Sequence, residues 1–301
     1  MTCQPRIDPS QSDAPQPDPR REVIGVGGRD FEGARSPLER VLNVIRHPRR
    51  ILSWLRRRGG YKQGWNHLGS DRRSARAMVD SSRDEQEFAR RGRAVAELLA
   101  DALGLDGSQR VVEIGCGPAR IGREIAPRCR EWIGLDISGE MLRLARGRVG
   151  HLSNVSFHEL EGARLDTLAD ASVDRLYCHS VLAHIDKEDM YRYLREVRRV
   201  LVPGGLAYLD TWNLLHEAGW AWFEKSAAQA PLTGRKESWR PQFATAPEFR
   251  ELIRRAGLTE ILLVDESHLL QAFVTVEAGP EGIERERRRL LPLLPGLIGI
   301  D

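Results

Sequence analysis

The sequence predicts an α/β fold with a doubly wound, mostly parallel sheet that an antiparallel hairpin closes at its C-terminal end. Between residues 82 and 279, short apolar runs alternate with stretches whose apolar residues recur at helical spacing, which is typical of parallel strands with helices on both faces. Two β-rich runs, at residues 261–264 and 269–276, are separated by a short polar gap and predict the hairpin. A turn with two glycines follows the first apolar run and predicts a ligand site at that edge of the sheet.

Composition limits the class of protein. The 301 residues suit one large α/β domain with appendages, and the 41% of hydrophobic residues is enough for a core. The formal net charge is only +3, and the mean hydropathy is −0.43. The four cysteines show no Cys-x-x-Cys spacing, and no run of about 20 apolar residues is present. We therefore expect a reduced, cytoplasmic protein without a metal site.

Two segments precede the predicted α/β domain. Residues 1–33 are rich in proline and glycine and are predicted to be disordered, because so little apolar surface cannot offset the entropy of ordering. Residues 34–81 are predicted to form a basic accessory segment or a lid. Within it, residues 38–58 carry apolar side chains at helical spacing with arginines between them. Residues 61–80, which include Trp65, are predicted to be irregular.

The domain opens with a helix and the glycine turn. Ser82 and Glu85 have the spacing of a capping box, and the helix that they begin is predicted to end at Gly104. Residues 111–118 read VVEIGCGP, an apolar strand followed by glycines that can turn sharply because they lack a Cβ. A helix that starts near Ala119 would then direct its free N–H groups at a bound ligand.

Strands and helices alternate after this turn. Apolar and β-branched runs predict strands at residues 132–136, 155–157, 173–178 and 206–209. Helical spacing predicts helices around Met141, after an Asp186 cap, after a Thr245 cap, and in a charged tail at residues 280–301. Residues 212–244 are rich in tryptophan and are interpreted as an irregular insert on the substrate side of the sheet.

Four blocks of the chain resemble the class I S-adenosylmethionine-dependent methyltransferases of the small-molecule type. The blocks are residues 112–117 (VEIGCG), 134–138 (GLDIS), 172–185 (SVDRLYCHSVLAHI) and 201–205 (LVPGG). They stand in the family's order and at the family's spacing. The resemblance covers residues 82–279, and it implies a Rossmann-like fold with S-adenosylmethionine as the cofactor.

The resemblance also implies which residues contact the cofactor. Glu113 would lie beneath the amino acid portion, with its carboxylate facing the ammonium group. Asp136, which stands 21 residues beyond the first glycine, would accept hydrogen bonds from the ribose hydroxyls. Ile137 and Met141 would pack on the adenine, and Glu161 would reach its amino group. The complete predicted set is Glu113, Gly115, Cys116, Gly117, Asp136, Ile137, Met141, Glu161, Gly162, Ala163 and His179.

Two histidines are the candidates for a catalytic role. His179 and His184 follow the strand predicted at residues 173–178, at the carboxyl edge where open α/β sheets bind ligands. Either could act as a base toward a hydroxyl or amine acceptor, because neutral imidazole titrates near physiological pH. Either could instead only hydrogen-bond the loop, and His179 could line the cofactor pocket.

The implied reaction is transfer of a methyl group to a hydroxyl or amine of a small molecule, a sugar or a lipid-linked acceptor. Two alternatives remain open: a protein that binds S-adenosylmethionine without turnover, and a nicotinamide-dependent oxidoreductase, which shares the glycine turn and the acidic residue.

The partners are less defined than the cofactor. A nucleic acid is disfavoured, because the amino-directed nucleobase enzymes carry an Asn/Asp-Pro-Pro-aromatic motif where this chain reads CHSV at residues 178–181. The arginines of residues 38–58 could contact an anionic membrane surface, which would place the protein at the inner membrane face. The oligomeric state is not predicted.

Overall fold

The computed structural model describes residues 60–82, 84–229 and 241–299. All of them fall within one compact unit, Leu52–Asp301. The predictions made for residues 1–33 and 38–58 lie outside the described residues.

A single sheet forms the centre of the structure. Its strands are β1 (Arg110–Ile114), β2 (Glu131–Asp136), β3 (Val155–Glu159), β4 (Val173–Cys178), β5 (Leu201–Asn213), β6 (Phe243–Ala244), β7 (Thr259–Val264) and β8 (Leu269–Thr275). They are ordered β3-β2-β1-β4-β5-β8-β7, with the short β6 beside β5. The pairings are parallel except that β8 runs antiparallel to both β5 and β7. The predicted doubly wound sheet and its closing hairpin are confirmed.

Helices connect the strands and precede them. They are α1 (Tyr61–Gly69), α2 (Arg72–Asp80), α3 (Glu85–Leu103), α4 (Gly122–Ile125), α5 (Gly139–Val149), α6 (Lys187–Val200), α7 (Glu217–Gln229), α8 (Ala246–Arg255), α9 (Pro280–Leu290) and α10 (Leu294–Ile298). Short 3₁₀ turns cover Ala126–Arg128, Leu182–His184 and Leu291–Leu293. In the part of the chain that the structure describes, no helix is long and apolar enough to cross a membrane.

The core lies in two layers, one on each face of the sheet. Alternate residues of a strand point to opposite faces, so Val112 belongs to one layer and its neighbour Val111 to the other. The first layer is completed by α6 and α8, for example through Phe249, and the second by α3 and α5, for example through Leu99 and Leu142. Both layers hold the sheet rigid, so its carboxyl edge is a firm base for the site.

The prediction that residues 61–80 are irregular is wrong, because α1 and α2 occupy this stretch. Asp71 accepts a hydrogen bond from the Ser74 N–H at 2.9 Å and caps α2. The apolar sides of the two helices pack against Met141 and Leu144 of α5. Their stability thus depends on burial against a distant helix, which single-sequence spacing does not reveal.

Two helix starts also differ from the predictions. Asp84, rather than Ser82, caps α3, since its side chain accepts the Glu87 N–H at 2.9 Å. The helix expected near Ala119 begins only at Gly122. The intervening turn requires a left-handed backbone at Ala119, where φ is +56°, and this conformation cannot belong to an α-helix.

The tryptophan-rich segment is more ordered than predicted. Strand β5 extends through Trp212 to Asn213, well beyond the predicted end at residue 209. Helix α7 follows it, and residues 230–240 lie outside the described residues. The aromatic rings of this segment contact one another, with Trp212 5.6 Å from Trp222 between ring centroids.

Candidate active site

A cavity opens at the carboxyl ends of the first, second and fourth strands. It encloses about 1120 Å³ when its open mouth is included, which is ample for a nucleoside-sized ligand. The glycine turn after β1 forms its base, and the segments after β2, β3 and β4 form its sides. Helices α1 and α2 contribute Tyr61, Trp65, Met78 and Val79 to its remaining wall. The structure therefore brings a site together at the edge that the sequence predicted.

The glycine turn depends on the absence of side chains. Gly115 and Gly117 have φ values of +69° and +51°, in the left-handed region that favours glycine. A Cβ at Gly115 would lie 2.3 Å from Cγ2 of Val181, in the loop after β4. The turn is thus packed tightly against that loop, and its backbone faces the cavity.

Asp136 joins the turn to the end of β2. Its Oδ2 accepts the Gly117 N–H and its Oδ1 accepts the Ser138 N–H, both at 2.8 Å. Burial raises the pKa of Asp136 to about 6, although these backbone donors lower it. Each oxygen can still accept a second hydrogen bond. The carboxylate can therefore keep its bonds to the backbone and also accept a hydrogen bond from a hydroxyl group of a ligand.

Glu113 is the second buried carboxyl group of the cavity. The Tyr177 hydroxyl donates to its Oε2 at 2.6 Å, and Trp132 Nε1 donates in turn to the Tyr177 hydroxyl at 3.1 Å. Burial raises the pKa of Glu113 to about 8, against the lowering effects of Tyr177 and Arg120. A cationic group in the cavity would favour the ionised form of this side chain.

Arg120 is a cavity residue that the sequence reasoning missed. Its side chain is only 6% exposed, and its Nε and Nη1 have no hydrogen-bond partner in the part of the chain that the structure describes. Its ion pair with Asp80 is long, at 3.7 Å. Burial of a guanidinium whose N–H donors have no acceptor destabilises the folded protein unless an anion binds to it. The sequence shows only a charged residue between two apolar ones, Ala119 and Ile121.

Helix α1 is attached to both sides of the cavity mouth. The Tyr61 hydroxyl accepts the Asp186 N–H at 2.8 Å, just before α6. On the other side, Lys62 Nζ lies 2.7 Å from carboxylate oxygens of both Glu159 and Glu161. Asn66 accepts the Ser138 hydroxyl at 2.8 Å, at the start of α5. These bonds hold the helix over the cavity.

The predicted cofactor residues are nearly all brought together. Ten of the eleven line the cavity: Glu113, Gly115, Cys116, Gly117, Asp136, Ile137, Met141, Gly162, Ala163 and His179. Glu161 does not line the cavity, because its side chain is 85% exposed and pairs with Lys62. Burial raises the pKa of the Cys116 thiol well above its usual value, so this cysteine is not a reactive thiolate.

Both candidate histidines lie at the cavity, in different surroundings. His184 packs its ring edge against Trp65, with 5.4 Å between the centroids. His179 places Nδ1 2.5 Å from Oδ2 of Asp210, a buried carboxyl group on β5. Asp210 is a second residue that the sequence reasoning missed, since only the pairing of β4 with β5 brings it beside His179.

Comparison with known proteins identifies the family of the central segment. Residues 111–205 match a family model described as a methyltransferase domain. The chain is 28% identical over 171 residues to a trans-aconitate 2-methyltransferase of Rhodopseudomonas palustris (strain BisA53), covering 56% of this chain and 60% of that one. It is 31% identical over 128 residues to the methyltransferase GfsG of Streptomyces halstedii, covering 41% and 45%. The chain thus spans about half the length of these relatives.

Solved structures share the fold at low sequence identity. The N-methyltransferase NodS of Bradyrhizobium japonicum WM9, in complex with S-adenosyl-L-homocysteine, aligns with a TM-score of 0.53 at 18% identity, covering 73% of this chain and 100% of that one. Magnesium protoporphyrin IX methyltransferase of Synechocystis PCC 6803, with the same ligand, aligns with a TM-score of 0.52 at 18% identity, covering 71% and 97%.

Proposed function

We propose that this chain, whose residues 111–205 match a methyltransferase domain, is a class I S-adenosylmethionine-dependent methyltransferase that acts on a small-molecule acceptor. The nucleophile would be a hydroxyl or an amine, on a free small molecule, a sugar or a lipid-linked compound.

The observation that carries this proposal is that Glu113 and Arg120 both line the cavity beside the glycine turn. Both side chains are buried. The amino acid portion of S-adenosylmethionine is a zwitterion, so its ammonium group matches Glu113 and its carboxylate matches the unused donors of Arg120. The two residues thus offer a guanidinium for the ligand carboxylate and a carboxyl group that a bound ammonium would ionise.

The remaining walls suit the rest of the molecule. Asp136 stands at the end of the next strand, where its free lone pairs could accept the ribose hydroxyls. Met141 and the half-buried Ile137 offer an apolar surface for the adenine. The predicted contact from Glu161 to the adenine amino group is not part of the proposal, since this side chain is drawn to Lys62.

When bound, S-adenosylmethionine supplies a methyl group that is activated by the attached sulfonium. The protein must orient the acceptor in line with that methyl group and exclude water. Helix α1 serves the second task, because Tyr61 and Trp65 cover the cavity. His179 and His184 stand on the acceptor side as the two candidates for a base.

The contact with an anionic membrane proposed for residues 38–58 rests on sequence alone. Arginines between apolar residues at helical spacing support it. Co-flotation of the full chain with anionic liposomes, weakened by salt, is the expected result. A chain that stays at the bottom of the gradient at low salt would contradict it.

Calorimetry with S-adenosylhomocysteine tests the cofactor assignment. The wild-type protein should bind, and Asp136→Ala should weaken binding, because each lost charge-assisted hydrogen bond costs roughly 1.5–3 kcal/mol. Asp174→Ala is the matched control, since Asp174 lies at the amino end of β4, at the opposite edge of the sheet from the cavity. Thermal unfolding of both variants separates lost affinity from lost structure. Absence of binding to the folded wild-type protein would overturn the proposal.

Turnover is tested separately. Wild-type protein with methyl-labelled S-adenosylmethionine should label at least one member of a panel of phenols, sugars and amines. Binding without any labelled product would favour the alternative of a protein that binds the cofactor without turnover.

A further inference from the structure

Asp210 is the meeting point of a buried hydrogen-bond network at the acceptor side of the cavity. It is fully buried on β5. Its Oδ1 accepts the Ser180 N–H at 2.7 Å, and its Oδ2 lies 3.0 Å from the Tyr208 hydroxyl and 2.5 Å from Nδ1 of His179. The pairing of Cys178 with Leu209 in the β4–β5 register brings the next residues of the two strands together. His179, the residue after β4, and Asp210 of β5 are therefore held together by the pairing of these two strands, and we call them the His179–Asp210 dyad.

The network decides which nitrogen of His179 carries a proton. Oδ1 of Asp210 accepts the Ser180 N–H, and Oδ2 faces the Tyr208 hydroxyl, whose single proton is shared between Asp210 and Oε1 of Gln271. A carboxylate accepts only, so Nδ1 of His179 must donate to it. Nε2 then keeps its lone pair. It lies 3.5 Å from the Ser180 hydroxyl oxygen, and both residues line the cavity.

The same contacts fix the position of the ring. Only 5% of the His179 side chain is exposed, and its ring centroid lies 6.3 Å from that of Tyr208. A histidine held in one tautomer and one orientation by a buried carboxylate has the arrangement of a general base, because the carboxylate also stabilises the imidazolium that forms. His184 has a different setting, with its ring against Trp65 at the mouth.

Building on the proposed function, we propose that the substrate to be methylated is a hydroxyl compound and that His179 is the base that removes its hydroxyl proton. Asp210 is the residue that positions His179. In this step the hydroxyl oxygen forms a bond to the methyl carbon while the sulfur–methyl bond breaks. The electron pair of that bond stays on sulfur. Nε2 of His179 takes the hydroxyl proton, and Asp210 faces the resulting imidazolium.

The substrate class follows from what a base contributes. A carboxylic acid acceptor is already ionised at neutral pH, so the dyad would add nothing to its reaction. A phenol, enol or alcohol keeps its proton and gains nucleophilicity when that proton leaves. Of the hydroxyl and amine acceptors proposed above, the dyad favours the hydroxyl.

The first test compares matched aromatic probes that differ in the reacting group: a phenol, a benzoate and an aniline. Wild-type protein should methylate the phenol fastest. His179→Gln should lower that turnover about 10²–10⁴-fold, with affinity for S-adenosylhomocysteine kept within a few-fold. His151→Gln, at an exposed position after α5, is the matched control and should behave as wild type. Faster methylation of the benzoate, or unchanged turnover in His179→Gln, would overturn the inference.

The pH profile distinguishes positioning by Asp210 from a merely structural role. With S-adenosylmethionine saturating, so that the bound ammonium group keeps Glu113 ionised, wild-type kcat should fall on the acidic side, where a protonated His179 cannot accept the hydroxyl proton. This limb should vanish in His179→Gln, and Asp210→Asn should change it, because the ring loses the carboxylate that faces Nδ1. Asp136, His184 and Asp189 also line the cavity with ionisable groups, so a limb of kcat that persists in His179→Gln would belong to one of them and contradict the inference.

A third readout needs no acceptor. In protein labelled with ¹⁵N-histidine, the resonances absent from His179→Gln identify this ring. Above neutral pH they should show protonated Nδ1 and unprotonated Nε2, and Asp210→Asn should change that tautomer. A proton on Nε2 in the wild-type protein would overturn the inference even if no probe is methylated. If S-adenosylhomocysteine fails to bind, the proposed function itself is wrong. If it binds but His179 carries its proton on Nε2, only the proposed role of His179 and Asp210 is wrong.

Discussion

Gly117 donates its backbone N–H to Oδ2 of Asp136 at 2.8 Å, so the turn after β1 is hydrogen-bonded to the end of β2. The residue expected to hold a ligand is also a structural bond of the site. A variant at Asp136 therefore changes the cavity as well as the ligand contact, and its effect on binding has to be read beside its effect on folding. More selective tests come from the glycines, from Glu113 and from Arg120.

Gly115→Ala should destabilise the fold by about 2–5 kcal/mol. The left-handed backbone costs an L-residue about 1–2 kcal/mol, and the new Cβ would lie 2.3 Å from Val181 Cγ2, an overpacking that typically costs about 1–3 kcal/mol. In the double variant Gly115→Ala, Val181→Ala, the overpacking against Val181 should be relieved, and the cost of the left-handed backbone should remain. Gly147→Ala, in α5 with open space around it, should be stabilising by up to about 1 kcal/mol. Urea unfolding measures all three, and a neutral Gly115→Ala would show that the turn is not strained.

Ala119→Gly should leave the free energy of unfolding nearly unchanged. Relief of the left-handed backbone at a φ of +56° offsets the loss of a fully buried methyl group and the greater freedom of glycine in the unfolded chain. The same change at Ala94, an exposed position within α3, is the matched control and should cost about 1 kcal/mol. Equal effects of the two substitutions on the free energy of unfolding would mean that the turn imposes no backbone cost at Ala119.

Glu113 should make the free energy of unfolding fall as the pH rises from about 4.5 toward 8. Burial raises its pKa in the folded state from 4.5 to about 8, so in this window the native state holds a proton that the unfolded state has released. The slope from one such group is at most about 1.4 kcal/mol per pH unit. Between pH 6.5 and 8, above the pKa of about 6 for Asp136, Glu113→Gln should flatten the curve. A curve identical to wild type would show that Glu113 is already ionised.

Binding of S-adenosylhomocysteine should release close to one proton near pH 7. In the free protein Glu113 is mostly protonated at this pH, given its pKa of about 8, and a ligand ammonium group facing it would favour the carboxylate. Calorimetry in buffers with different ionisation enthalpies measures the release. It should disappear in Glu113→Gln and in wild-type protein above about pH 9, and a release that survives the substitution would have to come from another group.

Arg120→Met should weaken S-adenosylhomocysteine binding about 10–100-fold, in line with the roughly 1.5–3 kcal/mol of a hydrogen bond to a charged group. Methylthioadenosine lacks the carboxylate, so its affinity should stay unchanged. Arg123→Met provides the control, because the Arg123 side chain is 51% exposed. Equal losses for the two ligands would indicate that Arg120 supports the fold of the cavity rather than the carboxylate.

The elements that could be predicted from the amino-acid sequence are those whose signals are local. The alternation of strands and helices, the glycine turn at Gly115 and Gly117, and the spacing from that turn to Asp136 are all visible within short windows. The structure confirms the parallel sheet and the hairpin, and it places ten of the eleven predicted cofactor residues around one cavity. Such features are predictable because backbone conformation and strand ends depend mainly on neighbouring residues.

Contacts between residues that are far apart in the chain could not be predicted and depend on how the chain folds. Asp210 stands 31 residues from His179, and Lys62 stands 99 residues from Glu161. Arg120 is notable only because burial leaves its donors without partners, and α1 and α2 form because α5 covers their apolar sides. Burial and strand pairing create these relationships once the sheet has formed, so the composition of the site beyond the glycine turn is a property of the fold.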